Sequence, residues 1–296
     1  MTHLFKGAGV AMITPFKKDF TIDYPSLEKL VEEQISGGMD YIVALGTTAE
    51  TPTLTAKEQK DIISCIKTKV NKRVPIMLGM GGNDPNKVIK NIENTDFEGI
   101  DGILSVTPYY NRPSQEGLVE HFKKIAQASP VPVILYNVPS RTGTNMLPDT
   151  SVKIAQACAN VIGVKEASGE SSHVARMVKH GPDYFAVISG DDVLALPVIA
   201  VGGIGVISVV ANALPDKLSQ LVHYANDGKF TEARELHLLL VDLLKLLFRE
   251  GNPGGIKALM EIMGKSLNII RLPLFPVSRE LYKDIEEELK KILAYS

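Results

Sequence analysis

Eight short apolar runs, each bounded by glycine, proline or polar residues, recur along the chain. Each run is four to six residues long, and such runs are typical of strands that are buried on both faces of a sheet. The sequence therefore predicts eight buried strands, at Gly9–Thr14, Tyr41–Leu45, Pro75–Met80, Gly102–Val106, Val133–Tyr136, Val161–Lys165, Phe185–Ser189 and Gly205–Val210.

The segments between these runs have helical periodicity. In Ser26–Ile35 an apolar stripe lies opposite the charged side chains, with Ser26 as the predicted N-cap. Thr55, with Glu58 three residues later, has the pattern of a capping box. Eight β-α units of about 25 to 35 residues predict an α/β protein, a closed parallel (β/α)8 TIM barrel. A doubly wound open sheet is the alternative fold.

The chain after the eighth unit has a helical pattern throughout. We expect residues 1–228 to form the barrel domain and residues 229–296 to form a C-terminal helical segment packed on it. The first tail helix is leucine-rich from Leu236 to Leu247, which predicts packing on the barrel and on a neighbouring subunit. The predicted tail helices are Thr231–Arg249, Gly255–Met263 and Ser278–Ala294.

The composition of the chain limits the kinds of binding partner that we expect. The formal net charge of -2 provides no polycation for nucleic acid or an acidic membrane surface, so a small molecule or another protein is the expected partner. Cys65 and Cys158 are too few and too far apart for a disulfide framework, which favours a reducing cytoplasm. The first residues have no pattern of an export signal, and no apolar run is long enough for a membrane span. We therefore expect a soluble cytoplasmic protein.

Lys165, at the end of the sixth run, is the first candidate for chemistry. Val161–Val164 is apolar, and the small residues after Glu166 lead to Gly169, which predicts a buried strand that ends at a loop. Burial disfavours the charged form of an amine, and a neutral amine attacks a carbonyl to form an imine. A structural ion pair with Glu166 or another carboxylate is the alternative interpretation of this stretch.

Further polar residues follow other predicted strands. In such barrels the active-site residues lie at the carboxyl ends of the strands. Hydroxyls, tyrosines, an arginine and an amine at this rim would suit a pocket that binds carboxylates and transfers protons. Taken singly, these residues have structural explanations as helix caps, a core aromatic or a surface ion pair. The rim segments are Gly46–Glu50, Thr107–Asn111, Tyr136–Gly143 and Lys165.

Spacing disfavours other chemistries. The six histidines show no HxH or HExxH spacing, so no metal site is expected. The glycines of Val201–Gly205 precede the eighth strand, which is the wrong end of the barrel for a phosphate loop. Asp191 and Asp192 put negative charge where a phosphate would bind, so we expect an unphosphorylated substrate. Lys257 is interpreted as an ordinary helical lysine.

Along almost its whole length the chain resembles the dihydrodipicolinate synthase and N-acetylneuraminate lyase superfamily of Schiff-base-forming barrels. The resemblance implies condensation of pyruvate with L-aspartate 4-semialdehyde to 4-hydroxy-tetrahydrodipicolinate, in the diaminopimelate route to lysine, without a cofactor. The chain departs from the family pattern at Ala49, where glycine is common, and in the two glycines of Asn252–Lys257. The motifs in the family's order and spacing are Gly46–Glu50, Thr107–Asn111, Tyr136–Thr142 and Val164–Ala167.

The resemblance implies four catalytic residues. Lys165 is expected to form an imine with pyruvate, and deprotonation then gives an enamine that attacks the aldehyde. Tyr136, Thr47 and Tyr110 look like the family's hydroxyl relay, which moves protons without a fixed charge beside the imine.

The same resemblance implies four substrate-binding residues. Thr48, with backbone amides of its loop, is expected to hold the pyruvate carboxylate. Arg141 is expected to hold the semialdehyde carboxylate through its planar guanidinium group. Gly190 and Ile207 match positions that line the pyruvate pocket.

Assembly and regulation are also implied. In the family, Tyr110 reaches into the active site of the neighbouring subunit, which implies a dimer as the minimal active unit and a homotetramer, a dimer of dimers, as the usual assembly. Lysine-inhibited relatives carry a glutamate at the position of Lys87, so the reversed charge here predicts insensitivity to lysine. A sialic-acid or keto-acid lyase, which would share Lys165 and Tyr136, is the rival activity.

Overall fold

The computed structural model describes residues 3–295 and contains one closed barrel of eight strands. The strands follow the chain order from β1 to β8, and the pairs with a described register are parallel. This confirms the predicted (β/α)8 TIM barrel. The strands are β1 (Gly7–Ala11), β2 (Tyr41–Ala44), β3 (Ile76–Gly79), β4 (Gly102–Val106), β5 (Val133–Asn137), β6 (Val161–Glu166), β7 (Ala186–Ser189) and β8 (Gly205–Ser208).

The first and last strands end earlier than the apolar pattern predicts. The backbone N–H of Ile13 donates to Oδ1 of Asn212 at 3.0 Å, so the strand ends at Ala11 although the chain stays buried. The last strand ends at Ser208 because Val210–Asn212 forms a 3-10 turn. Apolar residues can thus be buried at the rim without belonging to the strand ladder.

Helices lie between the strands and after the last one. The helices are α1 (Tyr24–Ser36), α2 (Ala56–Val70), α3 (Pro85–Glu93), α4 (Gln115–Ala128), α5 (Pro139–Thr142), α6 (Pro148–Ala157), α7 (Ser171–His180), α8 (Ala195–Ala200), α9 (Pro215–Asn226), α10 (Phe230–Phe248), α11 (Gly254–Ile262) and α12 (Arg279–Ala294).

The two helix starts predicted in detail have different outcomes. Thr55 and Glu58 form the predicted capping box of α2. The predicted N-cap of α1 is wrong by three residues, because the side chain of Asp23 accepts the backbone N–H of Ser26 and the helix begins between them. Pro25 fits the first turn, where no backbone N–H is needed.

The chain divides into two compact units. The first unit takes in the described residues up to Gly7 together with Pro75–Ile207, and the second takes in Ala8–Val74 and the residues from Ser208 onward. Within the first unit, residues of α3, α4, α6 and α7 form one apolar core with residues of β4 to β7. Within the second unit, α10 packs against α9, α11 and α12.

The C-terminal helices agree with the predicted tail to within one residue at each end. The leucines of α10 are divided between core and surface, since Leu240 and Leu244 are buried whereas Leu238 is 61% exposed. The contact of α10 with a neighbouring subunit stays a prediction. Within residues 3–295 no helix is both long and apolar enough to cross a membrane.

Candidate active site

Lys165 lies near the carboxyl end of β6, at the position the sequence predicts. Its side chain is only 6% exposed. On the neighbouring strand β5 its register partner is Tyr136, and the lysine Nζ lies 4.4 Å from the centre of the tyrosine ring. In the described part of the chain no carboxylate forms an ion pair with Lys165. The geometry therefore favours the amine over the ion-pair interpretation.

Glu166, the carboxylate next to Lys165, is engaged elsewhere. Successive side chains of a strand point to opposite faces, so the two residues cannot face the same neighbours. Glu166 accepts hydrogen bonds from the amide of Asn137, at 3.1 and 3.2 Å, and from the backbone N–H of Ser168 at 2.7 Å. Burial raises the pKa of the Glu166 carboxyl, against these hydrogen bonds, which lower it.

Gly190 follows β7 and closely approaches the lysine side chain. A Cβ atom at this position would lie 3.1 Å from Cε of Lys165 and 2.7 Å from Cβ of Ala167. The backbone N–H of Gly190 also donates to the carbonyl of Glu166 at 2.7 Å. Any larger residue would therefore displace the end of β6, so glycine is required beside the lysine. Ile207, the other predicted lining residue, is buried on β8.

The side chain of Tyr110 is almost fully exposed, at 91%. Its φ angle of +71° lies in the left-handed region, which non-glycine residues rarely adopt. The loop is held by Asn83, whose amide donates to the carbonyl of Tyr109 at 3.3 Å and whose carbonyl accepts the amide of Asn111 at 3.0 Å. A strained loop thus presents Tyr110 to solvent. Tyr136, by contrast, is buried in the same chain at 7% exposure.

Arg141 lies on the short helix α5, directly after β5. Its side chain is exposed, and the helix ends at Gly143, whose φ is +68°. Thr142 is buried and its Oγ1 bonds to the carbonyls of Val138 and Thr144, at 3.2 and 2.9 Å. These hydrogen bonds fix the backbone of the short helix that carries the arginine, directly after the carboxyl end of β5.

Thr47 and Thr48 lie in the second unit, in the loop after β2, which we call the Thr48 loop (Gly46–Glu50). Thr47–Ala49 forms a 3-10 turn in which Thr47 is half-buried and Thr48 is only 2% exposed. Oγ1 of Thr48 accepts a hydrogen bond of 3.0 Å from Nδ2 of Asn252. This contact could not be predicted from a local pattern, because the two residues are 204 positions apart.

The environment of Lys257 differs from the one that the sequence pattern predicts. Lys257 is fully buried in α11, where the pattern predicts an ordinary helical lysine. Its ammonium group pairs with Glu50, donates to the carbonyl of Ile269 at 2.8 Å and lies 4.2 Å from the centre of the Phe16 ring. Burial lowers the pKa of Lys257 to about 8, against the opposing effect of Glu50. The ion pair with Glu50 explains why this charge is tolerated.

Residues 3–295 contain no group of three or more His, Cys, Asp or Glu side chains that could hold a metal ion. A cavity of about 270 Å³ is lined by Asn83, Glu120, His121 and Lys124, among others, and by none of the predicted catalytic residues. Burial lowers the pKa of His121 to about 4, so this histidine is neutral at pH 7.

Known proteins resemble this chain over nearly its full length. The 4-hydroxy-tetrahydrodipicolinate synthase of Parabacteroides distasonis is 50% identical over 287 residues, which cover 97% of each chain. The enzyme of the same name from Azobacteroides pseudotrichonymphae is 47% identical over 286 residues, again 97% of each. The crystal structure of dihydrodipicolinate synthase from Thermotoga maritima superposes with a TM-score of 0.95 at 38% identity, covering 98% of this chain and 99% of that one.

A family model gives the same result. The model described as the dihydrodipicolinate synthetase family matches residues 4–292, which is almost the whole chain. The chain therefore belongs to the dihydrodipicolinate synthetase family.

Proposed function

We propose that this chain condenses pyruvate with L-aspartate 4-semialdehyde to give 4-hydroxy-tetrahydrodipicolinate, a lyase-class reaction in the diaminopimelate route to lysine. The observation that carries the proposal is the buried amine of Lys165 at the end of β6, beside Tyr136 and without a carboxylate partner among the described residues. Membership of the family and 50% identity to an enzyme of that name support the choice of substrates.

The proposed reaction begins with nucleophilic attack by the amine of Lys165. Nζ of Lys165 attacks the C2 carbonyl of pyruvate, and loss of water gives an imine. The imine nitrogen withdraws electrons, so a proton leaves C3 and an enamine forms. The enamine carbon then attacks the aldehyde of the second substrate. The amino group of that substrate replaces the lysine at C2, which closes the ring and frees Lys165 for another turnover.

Proton transfer needs groups that carry protons without a fixed charge. We assign this relay to the hydroxyls of Tyr136, Thr47 and Tyr110. The 4.4 Å separation of the Lys165 Nζ and the Tyr136 ring supports the first assignment. The exposure of Tyr110 in a single chain supports its action in a neighbouring subunit.

Two carboxylates must be recognised, one on each substrate. We assign the pyruvate carboxylate to Thr48 and the semialdehyde carboxylate to Arg141, whose planar guanidinium group suits a bidentate contact. Gly190 and Ile207 form part of the pyruvate pocket in this proposal. The close approach of Gly190 to Lys165 supports its place there.

The proposal also includes the assembly, the compartment and the cofactor requirement of the enzyme. The enzyme works as a homotetramer in the cytoplasm and needs no cofactor, because the imine with Lys165 activates pyruvate. The strained, exposed Tyr110 loop supports an assembly of at least two chains. Cys65 and Cys158 are free thiols, which suits a reducing compartment.

Turnover with alternative substrates tests the function. The purified protein is incubated with pyruvate and either aspartate 4-semialdehyde or N-acetylmannosamine, and in a third assay with N-acetylneuraminate alone. We expect rapid consumption of the semialdehyde and no turnover of either sugar. Cleavage of N-acetylneuraminate without consumption of the semialdehyde would assign the chain to the rival lyase activity.

A further inference from the structure

Asn252 contacts the hydroxyl assigned to pyruvate binding, yet it has no place in the mechanism described so far. It precedes α11, is 6% exposed, and its Nδ2 donates to Oγ1 of Thr48 at 3.0 Å. Thr48 itself is 2% exposed, so the contact is shielded from water. A hydrogen bond between two buried groups has a definite geometry, because no solvent competes for either partner.

The Thr48 loop around this contact is fixed at several other points. The carbonyl of Ala49 accepts the hydroxyl of Thr14 at 2.8 Å, and the carbonyl of Gly46 accepts the hydroxyl of Thr51 at 2.9 Å. The carboxylate of Glu50 pairs with Lys257 and accepts the backbone N–H of Arg271 at 2.9 Å.

Glu50 also has a φ angle of +55°, so these contacts hold a strained backbone in place. The loop is therefore rigid. What remains adjustable is the direction of the hydroxyl proton of Thr48.

The hydrogen bond from Asn252 restricts that direction. A threonine hydroxyl has one proton to donate and two lone pairs to accept with. Because the amide N–H of Asn252 occupies a lone pair, the proton of Thr48 points elsewhere. Among the described residues no acceptor takes it. A buried hydroxyl donor without a protein acceptor is suited to an anionic ligand, and hydrogen bonds to charged groups are the stronger ones.

We propose that Asn252 is a positioning residue, which holds Thr48 as a hydrogen-bond donor to the carboxylate of the keto acid substrate. The inference rests on the proposed function, since it takes pyruvate as the ligand of the Thr48 loop. Asn252 acts through Thr48 and itself touches no reacting atom.

The test measures pyruvate binding apart from turnover. Protein is incubated with increasing pyruvate and then with borohydride, and the fraction of Lys165 converted to the reduced adduct gives the half-saturating concentration. In Asn252→Asp the side chain keeps its shape but can only accept, so Thr48 turns its proton toward Asp. We expect the half-saturating pyruvate concentration to rise about tenfold or more. In Asn252→Ala, where Thr48 is free to rotate, we expect a smaller rise.

Thr48→Val separates positioning from a direct charge effect. If Asn252 acts through Thr48, adding Asn252→Asp to Thr48→Val should change half-saturation no further. Asn94→Asp places the same new charge on an exposed helix end, where the Asn94 amide donates to Lys90 at 2.6 Å. This control should bind pyruvate like the wild type. Thermal unfolding of every variant confirms that it is folded.

The outcomes distinguish the two proposals. If the wild type forms no adduct, the proposed function fails and the inference fails with it. If the wild type forms the adduct and Asn252→Asp saturates at the same pyruvate concentration, only the inference is overturned. A full tenfold effect of Asn252→Asp in the Thr48→Val background would also overturn it, because the effect would then bypass Thr48.

Discussion

Lys165 and Glu166 are neighbours in sequence, but the strand directs them to different surroundings. Glu166 is held by Asn137 and Ser168, whereas Lys165 lies beside the ring of Tyr136. A lysine with a carboxylate partner stays protonated and is a poor nucleophile. In the proposed mechanism, the separation of the two side chains leaves the amine available for imine formation.

The position of this lysine could be predicted from the sequence, but its environment could not. An apolar run that ends in lysine and small residues indicates a buried strand end. Which side chains Lys165 and Glu166 contact depends on the register between β5 and β6, which places Tyr136 opposite the lysine and Asn137 opposite Glu166. Register is a tertiary property, so the pattern along one strand left both interpretations open.

Arg141→Ala should affect the second substrate far more than the first. The guanidinium group is assigned to the semialdehyde carboxylate, and loss of a charge-assisted bidentate contact should lower kcat/KM for the semialdehyde about tenfold or more. Half-saturation of the borohydride-trapped pyruvate adduct should stay within about twofold of the wild type.

Arg176→Ala is the matched control for this prediction. It removes an arginine whose visible role is a surface ion pair with Asp149, at 2.8 Å. Such a pair contributes little, so both kinetic readouts should be unchanged. A collapse of adduct formation in Arg141→Ala equal to the loss of turnover would contradict the assignment.

At the scale of elements, α11 and the loop after β2 are joined by buried charges. Lys257 and Glu50 are both completely shielded from solvent, and Arg271 binds the same carboxylate through its backbone N–H. The pair links the C-terminal helices to the loop that carries Thr47 and Thr48. The second unit thus supplies a rigid support for these two hydroxyls.

Removing one charge of the Glu50–Lys257 pair should lower the free energy of unfolding. Lys257→Met leaves the Glu50 carboxylate buried without its counter-charge, which costs about 3–5 kcal/mol of unfolding free energy. Glu50→Gln combined with Lys257→Met removes both charges and should recover most of that loss. Urea unfolding at pH 7 measures the free energy of unfolding of the wild type, Lys257→Met and the double variant. A double variant no more stable than Lys257→Met alone would show that the ion pair is not the cause.

The elements themselves were largely predictable, because local patterns determine them. The eight strands, the capping box of α2 and the tail helices follow from periodicity and capping chemistry. The pair of Glu50 with Lys257 did not follow, since it joins residues 207 positions apart. The boundary between barrel and tail at residue 228 stays a prediction.

At the scale of the whole molecule, Tyr110 is the residue of the proposed site that bears on assembly. Its side chain is 91% exposed on a strained loop that Asn83 holds in place. Strain that is maintained by specific hydrogen bonds is common where a residue has a functional role. We infer that this loop completes the site of a neighbouring subunit in a dimer.

Subunit mixing tests this inference. Chains carrying Tyr110→Phe are mixed with chains carrying Lys165→Ala, dissociated and reassembled. A mixed dimer combines an intact Lys165 with an intact Tyr110 at one of its two sites. Random mixing should therefore restore about a quarter of the sites. Activity that stays at the level of the separate variants, after mixing is verified by mass, would place Tyr110 in its own chain's site.

The barrel could be predicted as a whole, because eight repeated β-α units leave few alternatives. The assembly could not, since an interface depends on which surfaces meet. Leu238 of α10 and Tyr110 are exposed in the single chain, and neither one alone identifies a partner surface. The homotetramer therefore rests on the resemblance and remains a prediction, which the mass of the native assembly can test.

Reductive trapping of pyruvate tests the central claim most directly, because it reports the covalent bond itself. The protein is incubated with pyruvate and borohydride, and intact mass and peptide mapping locate the adduct. We predict one adduct per chain, on Lys165, and none in Lys165→Arg, whose guanidinium stays protonated and is no nucleophile. An adduct on the buried Lys257 or on another lysine, or no adduct at all, would contradict the account.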